Sequence, residues 1–118
     1  MTADRMRRVD EAMREVLSDA ITSELSDPRV GFVTVTAVDT SPDLRQARVF
    51  VSVLGTPAER RRSLDGLRSA HGYLQRKVAD ELRLKHTPTL DFAYDDTTEN
   101  AARINELLRE SEDGEDRR

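Results

Sequence analysis

The sequence predicts an α+β fold, a two-layer sandwich in which helices pack on one face of a three-stranded sheet. Apolar residues recur at three- and four-residue spacing in four segments, which predicts amphipathic helices, and three shorter segments alternate apolar and polar residues as strands do. Because each helix has a single apolar side, the helices must bury that side against the sheet. A chain of 118 residues is expected to form one domain, residues 1–109, followed by an acidic tail, residues 110–118.

The first half of the chain predicts one helix and two strands. A helix over residues 4–25 should end at the Ser-Asp-Pro of residues 26–28, because the residue before a proline is disfavoured in helical conformation. Residues 32–39 and 46–54 alternate as strands, and the turn of residues 41–44 between them is short. We therefore expect these two strands to pair as an antiparallel hairpin or near-hairpin.

The second half predicts two helical stretches around a third strand. A helical segment begins at Pro57 and runs to about residue 84, with Gly72 interrupting it. A third strand is predicted over residues 87–95 and a last helix over residues 98–109. The tail has no apolar residue to bury and is expected to be disordered. Three phenylalanines lie in strand patterns and are predicted to be core residues: Phe32, Phe50 and Phe92.

Charge is distributed unevenly along the chain. The net charge is −4, yet residues 60–86 hold 8 Lys/Arg against 3 Asp/Glu, whereas residues 87–118 hold 4 against 10. A phosphate backbone responds to the charge within about a Debye length, roughly 8–10 Å, and not to the total. The acidic total therefore does not exclude a nucleic-acid partner for the basic segment.

Several functional classes find no support in the sequence. There is no cysteine, which excludes disulfides and thiolate metal sites and agrees with a reducing cytoplasm. No apolar run is long enough to span a membrane, and the N-terminal segment lacks the apolar core of a signal peptide. Two histidines, at positions 71 and 86, have no third ligand type nearby, so no metal and no cofactor are expected.

Catalysis is not predicted either, since the chain contains no nucleophile motif and no phosphate-binding glycine loop. One acidic cluster, Asp95, Asp96 and Glu99, allows a hydrolase as an alternative. Capping of the last helix is the favoured interpretation of those carboxylates, because negative charge stabilises the start of a helix.

The basic segment carries the main functional hypothesis. Treated as one continuous helix, it places Arg61, Arg68, Gly72, Arg76 and Arg83 together on a face away from the apolar stripe. Arginine presents a planar fork to phosphate, and glycine lets a backbone approach without a Cβ in the way. The alternative is a solvated helix face with a glycine that breaks the helix or permits tight packing. The residues alone leave both interpretations open.

Several segments, in the same order and spacing, resemble the ribosome-binding factor A family over about residues 5–109. Residues 69–74 (SAHGYL) are similar to the Ala-x-Gly kink of that family, and residues 26–36 to the end of its first helix and its first strand. Residues 41–52 resemble its second strand, residues 82–95 its third-strand region, and residues 104–108 its closing helix. The resemblance implies a KH-like (type II) fold in which a helix-kink-helix replaces the usual GxxG loop.

The resemblance also implies a function. Members of this family bind the free 30S subunit and contact 16S ribosomal RNA in late maturation, including 5′-end processing, with a role in cold adaptation. A cytoplasmic, non-catalytic monomer is therefore expected. The alternatives are a protein-protein module, acting through the open sheet face or the acidic tail, and a general binder of single-stranded RNA.

The candidate RNA-binding residues come from two sources. Ala70 and Gly72 follow from the resemblance, as kink positions. The cations follow from the charge of the basic segment and from the start of the first helix, where positive charge opposes the helix dipole. The full set is Arg7, Arg8, Arg61, Arg68, Ala70, Gly72, Arg76, Lys77, Arg83 and Lys85. Tyr73 could stack on a base, although packing is the favoured interpretation.

Overall fold

The computed structural model describes residues 3–96, which form three helices and three strands. These are α1 (Ala3–Ser23), β1 (Val33–Thr40), β2 (Gln46–Val53), α2 (Pro57–Ser69), α3 (His71–Leu82) and β3 (Thr89–Tyr94). The predicted last helix, residues 98–109, and the predicted tail, residues 110–118, lie outside the described residues. The α-β-β-α-α-β order is confirmed. None of the described helices combines the length and hydropathy that a membrane-spanning segment needs.

The sheet is mixed, with strand order β1-β2-β3. β1 and β2 pair antiparallel, as their short connection predicts, while β2 and β3 pair parallel. A parallel pair requires a long crossover, and α2 and α3 supply it. A register shift between Val35 and Ala37 breaks the alternation of β1, so that Val35 and Val38 both face the core.

The helices cover one face of this sheet, and the other face is open. All four inward residues of β2 are buried: Ala47, Val49, Val51 and Val53. They pack with Met13, Leu17, Leu67, Leu74, Val78 and Phe92 in a single apolar cluster. On the open face, an exposed ion pair joins Arg48 Nε to Asp91 Oδ2 at 3.3 Å. The predicted two-layer architecture is therefore confirmed.

The three phenylalanines have three different environments. Phe92 is buried, as predicted, and Phe50 is half-buried on the open face. The prediction for Phe32 is wrong, because its side chain is 80% exposed. Phe32 precedes Val33, whose pairing with Val53 is the last of the β1–β2 register. Its side chain points to the same, exposed side of the chain as that of Thr34. Alternation alone does not tell which side of a strand will be covered.

The loop between α1 and β1 packs against α2 through two small residues, Ser63 and Gly66. Ser63 is 1% exposed; its Oγ accepts the Gly31 N–H at 3.1 Å and donates to the Arg29 carbonyl at 3.3 Å. A Cβ built on Gly66 would lie 2.7 Å from Val30 Cγ2. A larger residue at either position would therefore push this loop away from α2.

Candidate nucleic-acid interface

The helical segment of residues 57–82 breaks at Ala70. This residue ends α2 and precedes α3, with φ −91° and ψ 6°. Its N–H is the last to bond to α2 carbonyls, and its own carbonyl accepts the Leu74 N–H at 3.0 Å. The assumption of one continuous helix is therefore wrong. The prediction of two helices separated by a kink is confirmed, with the break two residues before Gly72.

The first turn of α3 leaves backbone donors open at this kink. Within residues 3–96, no backbone hydrogen bond joins the N–H groups of His71, Gly72 or Tyr73 to a carbonyl of α2. No side chain of the described residues caps this helix end. The imidazole of His71 points back to α2, where its Nδ1 lies 2.9 Å from the Arg68 carbonyl oxygen. Because a carbonyl oxygen can only accept a hydrogen bond, Nδ1 is the donor. Unbonded N–H groups at a helix N-terminus attract anions.

Gly72 lies inside α3 and faces solvent. A Cβ built there would meet nothing within 4 Å among the described residues. Tight packing within the described part of the chain therefore does not account for this glycine, and the helix break at Ala70 does not require it. Gly72 is the second residue of α3, and a glycine there costs at most the roughly 1 kcal/mol relative to alanine that holds inside a helix. What the glycine does provide is an open stretch of backbone at the start of a helix.

Arg76 lies one turn after Gly72 and shares a concavity with it. The concavity, of about 340 Å³, is shallow and is lined by His71, Gly72, Gln75, Arg76, Ala79 and Thr87. Arg76 is exposed and forms no ion pair within the described part of the chain. An unpaired guanidinium and open backbone N–H groups therefore border the same depression, which is an arrangement suited to a phosphate.

The other arginines of the predicted face are not equivalent. Arg68 is partly committed, because its Nη2 donates to the Phe92 carbonyl at 3.2 Å. Arg61 lies two turns earlier on the exposed side of α2. Arg83 caps the end of α3 in left-handed conformation, with φ 48° and ψ 46°. The single face drawn on a continuous helix therefore becomes two separate groups, one on each side of the kink.

Lys77 and Tyr73 contact the end of α1. Lys77 Nζ lies 3.2 Å from Glu24 Oε1, and the Tyr73 hydroxyl donates to the same carboxylate. The hydrogen bond from the Tyr73 hydroxyl, followed by the hydrogen bond and the charge of Lys77, holds the pKa of Glu24 below its usual range. These contacts attach α1 to the first two turns of α3. Sequence patterns did not indicate them, because Glu24 and Tyr73 lie 49 positions apart.

The cations at the N-terminus of α1 lie far from the kink. Arg7 donates to Asp4 at 3.1 Å, and Arg8 is exposed. Glu24, which contacts Tyr73, follows Arg8 by 16 positions, or roughly 24 Å along a helix axis. The structure therefore does not bring this basic turn together with the kink. Lys85 is exposed in the loop that follows α3.

The acidic cluster is only partly within the described residues. The Asp95 carboxylate accepts a 2.6 Å hydrogen bond from the Thr36 hydroxyl, which links the end of β3 to β1 across the sheet. Glu99 lies outside the described residues. Across residues 3–96, no group of three or more His, Asp or Glu side chains could hold a metal ion.

Comparisons with known proteins agree on one family. A family model described as ribosome-binding factor A matches residues 5–108. A ribosome-binding factor A from Halothermothrix orenii is 43% identical over 116 residues, covering 98% of this chain and 95% of that protein. The crystal structure of ribosome-binding factor A from Thermus thermophilus superposes with a TM-score of 0.68 at 26% identity, over 75% of this chain and 94% of that one.

A homology model of one relative has been fitted into a map of its complex. The coordinates of this Thermus thermophilus ribosome-binding factor A homology model, as fitted into the cryo-EM map of a 30S complex, match with a TM-score of 0.62 at 26% identity. The match covers 74% of this chain and 91% of that one.

Proposed function

The chain belongs to the ribosome-binding factor A family, and we propose that it binds the free 30S ribosomal subunit as a non-catalytic assembly factor. The proposal extends to contact with 16S ribosomal RNA during late maturation, including 5′-end processing, and to a role in cold adaptation. The fit of a relative into a 30S complex supports the choice of partner. The protein would act in the cytoplasm, as a monomer and without a cofactor.

The observation that carries the proposal is the open backbone at Gly72. A residue that lowers helix stability and, among residues 3–96, packs against nothing within 4 Å is explained if a partner must approach the backbone there. An RNA phosphate fits this position, because it can accept hydrogen bonds from the first-turn N–H groups of α3. The helix-kink-helix would then be the RNA-binding element of a KH-like domain.

The cations would add attraction without selecting a sequence. Arg76 borders the same concavity as Gly72 and would pair with a phosphate directly. Arg61, Arg83 and Lys85 are exposed and would extend the positive surface on both sides of the kink. Structured RNA is recognised mostly through its shape and backbone, so such a surface could select one site on a folded subunit.

Arg76→Glu tests the surface most cleanly, because Arg68 also holds the Phe92 carbonyl. Its charge-matched control is Arg45→Glu in the β1–β2 turn, where the side chain is 75% exposed. We expect Arg76→Glu to weaken co-sedimentation with 30S subunits and the control to behave as wild type. Removing the Arg76 contact should also flatten the slope of log affinity against log salt by about 0.7 to 0.9. An unchanged slope with normal co-sedimentation would place the contact elsewhere.

Gly72→Leu tests the backbone approach separately. The side chain would project into open space and leave folding intact, but it would hold a phosphate away from the first-turn N–H groups. We expect weaker subunit binding at an unchanged or higher melting temperature. Subunit binding that survives nuclease digestion of the RNA would instead favour a protein partner. Equal affinity for homopolymer RNA and for subunits would favour a general single-stranded RNA binder.

A further inference from the structure

An exposed apolar pair lies at the end of the β1–β2 ladder, away from the kink. Phe32 is 80% exposed and Leu54 is 77% exposed. The Leu54 N–H donates to the Phe32 carbonyl at 3.1 Å, so the two residues are direct neighbours on a fixed backbone. Neither side chain contributes to the apolar core. Two large apolar groups held side by side in solvent require an explanation other than folding.

Phe32 stands between two shallow concavities. One, of about 360 Å³, is lined by the apolar side chains of Ile21, Leu25 and Val30 and by polar groups in about equal share. The other, of about 190 Å³, includes Leu54 and Arg62. The ring of Phe32 borders both, so flat groups could lie against it from either side.

The nearby charge is positive. Arg62 is exposed and forms no ion pair within residues 3–96, and Arg61 next to it is exposed as well. The carboxylate in the same concavity, Glu59, belongs to the capping box of α2, where it accepts the Thr56 N–H at 3.1 Å. The hydrogen bonds with Thr56, and after them the charge of Arg62, lower the pKa of Glu59. An aromatic ring beside a guanidinium that forms no ion pair is the combination that binds an unstacked nucleotide.

The size of the patch distinguishes a nucleotide from a protein partner. Two side chains expose on the order of 300 Å², whereas each partner in a small specific protein interface contributes roughly 600 Å². The pair by itself is therefore smaller than a specific protein interface, and it is large enough to stack one or two bases.

We infer that Phe32, supported by Leu54 and Arg62, stacks an unpaired base of the RNA to which the kink surface binds. This inference rests on the proposed function and adds a second contact to it. The kink surface would hold backbone phosphates, and the Phe32 surface would hold a base that has left its helix. The protein would then require a single-stranded stretch of RNA beside a folded one.

Phe32→Trp gives a direct optical test, because the chain contains no tryptophan. Stacking of a base quenches indole emission, so a short oligoadenylate should quench this variant and bind it at least as tightly as wild type. Phe32→Leu keeps an apolar side chain but has no ring. Because the loss of one base–aromatic stacking contact typically weakens binding by this much, Phe32→Leu should lower the affinity for oligoadenylate roughly 5- to 150-fold. The exposure of Phe32 means that the melting temperature should change little.

Salt dependence separates stacking from charge. Phe32→Leu should keep the wild-type slope of log affinity against log salt, since stacking displaces no counterions. Arg62→Gln should flatten that slope by about 0.7, the value for a single strand. Unquenched emission in Phe32→Trp, together with wild-type oligoadenylate affinity in Phe32→Leu, would overturn the inference. A protein partner would be indicated if Phe32→Asp weakened 30S binding while Phe32→Leu did not, and that result would also overturn it.

The two proposals fail separately. Normal 30S binding by Arg76→Glu and Gly72→Leu would refute RNA binding at the kink surface and would not affect the inference of stacking at Phe32. Wild-type oligoadenylate affinity of Phe32→Leu and unquenched emission of Phe32→Trp would refute stacking at Phe32 and would not affect the proposal for the kink surface.

Discussion

Two glycines in the same helical segment should respond in opposite directions to the same substitution. Gly66 lies in α2 and Gly72 in α3, and alanine raises helix stability by up to about 1 kcal/mol relative to glycine. At Gly72 the new methyl group would meet none of the atoms of residues 3–96 within 4 Å, so Gly72→Ala should stabilise the fold. At Gly66 it would lie 2.7 Å from Val30 Cγ2 and 3.3 Å from Arg29 Cβ. Such overpacking costs about 1–3 kcal/mol.

The difference between the two variants reports mainly the overlap, because the helix-propensity gain is at most about 1 kcal/mol in either and is expected to be larger at Gly66, inside α2, than at Gly72, in the first turn of α3. We expect Gly66→Ala to be less stable than Gly72→Ala by about 1–3 kcal/mol. In a domain of this size that difference corresponds to roughly 4–12 °C in melting temperature. Urea unfolding followed by circular dichroism measures the free energies, and calorimetry measures the midpoints.

A double-mutant cycle identifies the source of the difference. Val30→Ala removes the Cγ2 atom that the new methyl group would meet, so it should cost less in the Gly66→Ala background than in wild type. Gly66→Ala at least as stable as Gly72→Ala, or additive effects in the cycle, would refute the packing argument.

Three further substitutions test single contacts. Ser63→Ala should lower the unfolding free energy by about 1–3 kcal/mol, because it leaves the Gly31 N–H without its buried acceptor; an unchanged unfolding free energy would contradict this role of the hydroxyl. Thr56→Ala should lower it by about 1 kcal/mol through loss of the α2 cap, while Thr56→Ser should restore most of that loss. The side chain and then the backbone N–H of Arg29 lower the pKa of Asp27 from 3.8 to about 2, so its ionised form stabilises the fold. That contribution is complete above the unfolded pKa near 3.8 and is lost as the pH falls toward 2. Between pH 5 and 2 the unfolding free energy should therefore change less with pH in Asp27→Asn than in wild type. The same pH dependence in both proteins would contradict the assignment.

Much of the fold follows from local pattern. β2 alternates so regularly that Ala47, Val49 and Val51 could be assigned to one face, and the structure buries all three. The prediction that the helix ends shortly before Pro28 is confirmed, since α1 ends at Ser23. The helix-kink-helix followed from resemblance, and Ala70 is the residue at which the helices separate. These features are local because each depends on the conformation of a few consecutive residues.

The candidate site was harder to predict. A helical wheel assumes a straight helix, and the break at Ala70 separates Arg61 and Arg68 from Arg76. Lys77 has the same charge as its neighbours in sequence, yet it alone among them pairs with Glu24, a residue 53 positions away. Which cations are available to a partner depends on contacts between distant segments, and charge counts along the chain do not include them.

The sequence by itself determined the order of the elements, the buried side of β2, the positive segment and the family. Only the tertiary structure decided that Gly66 is crowded and Gly72 open, and that Phe92 is covered while Phe32 is not. The physical reason is that periodicity specifies the side to which a residue points relative to its own helix or strand. What lies opposite that side is set by other segments of the chain, folded against it from far away in sequence.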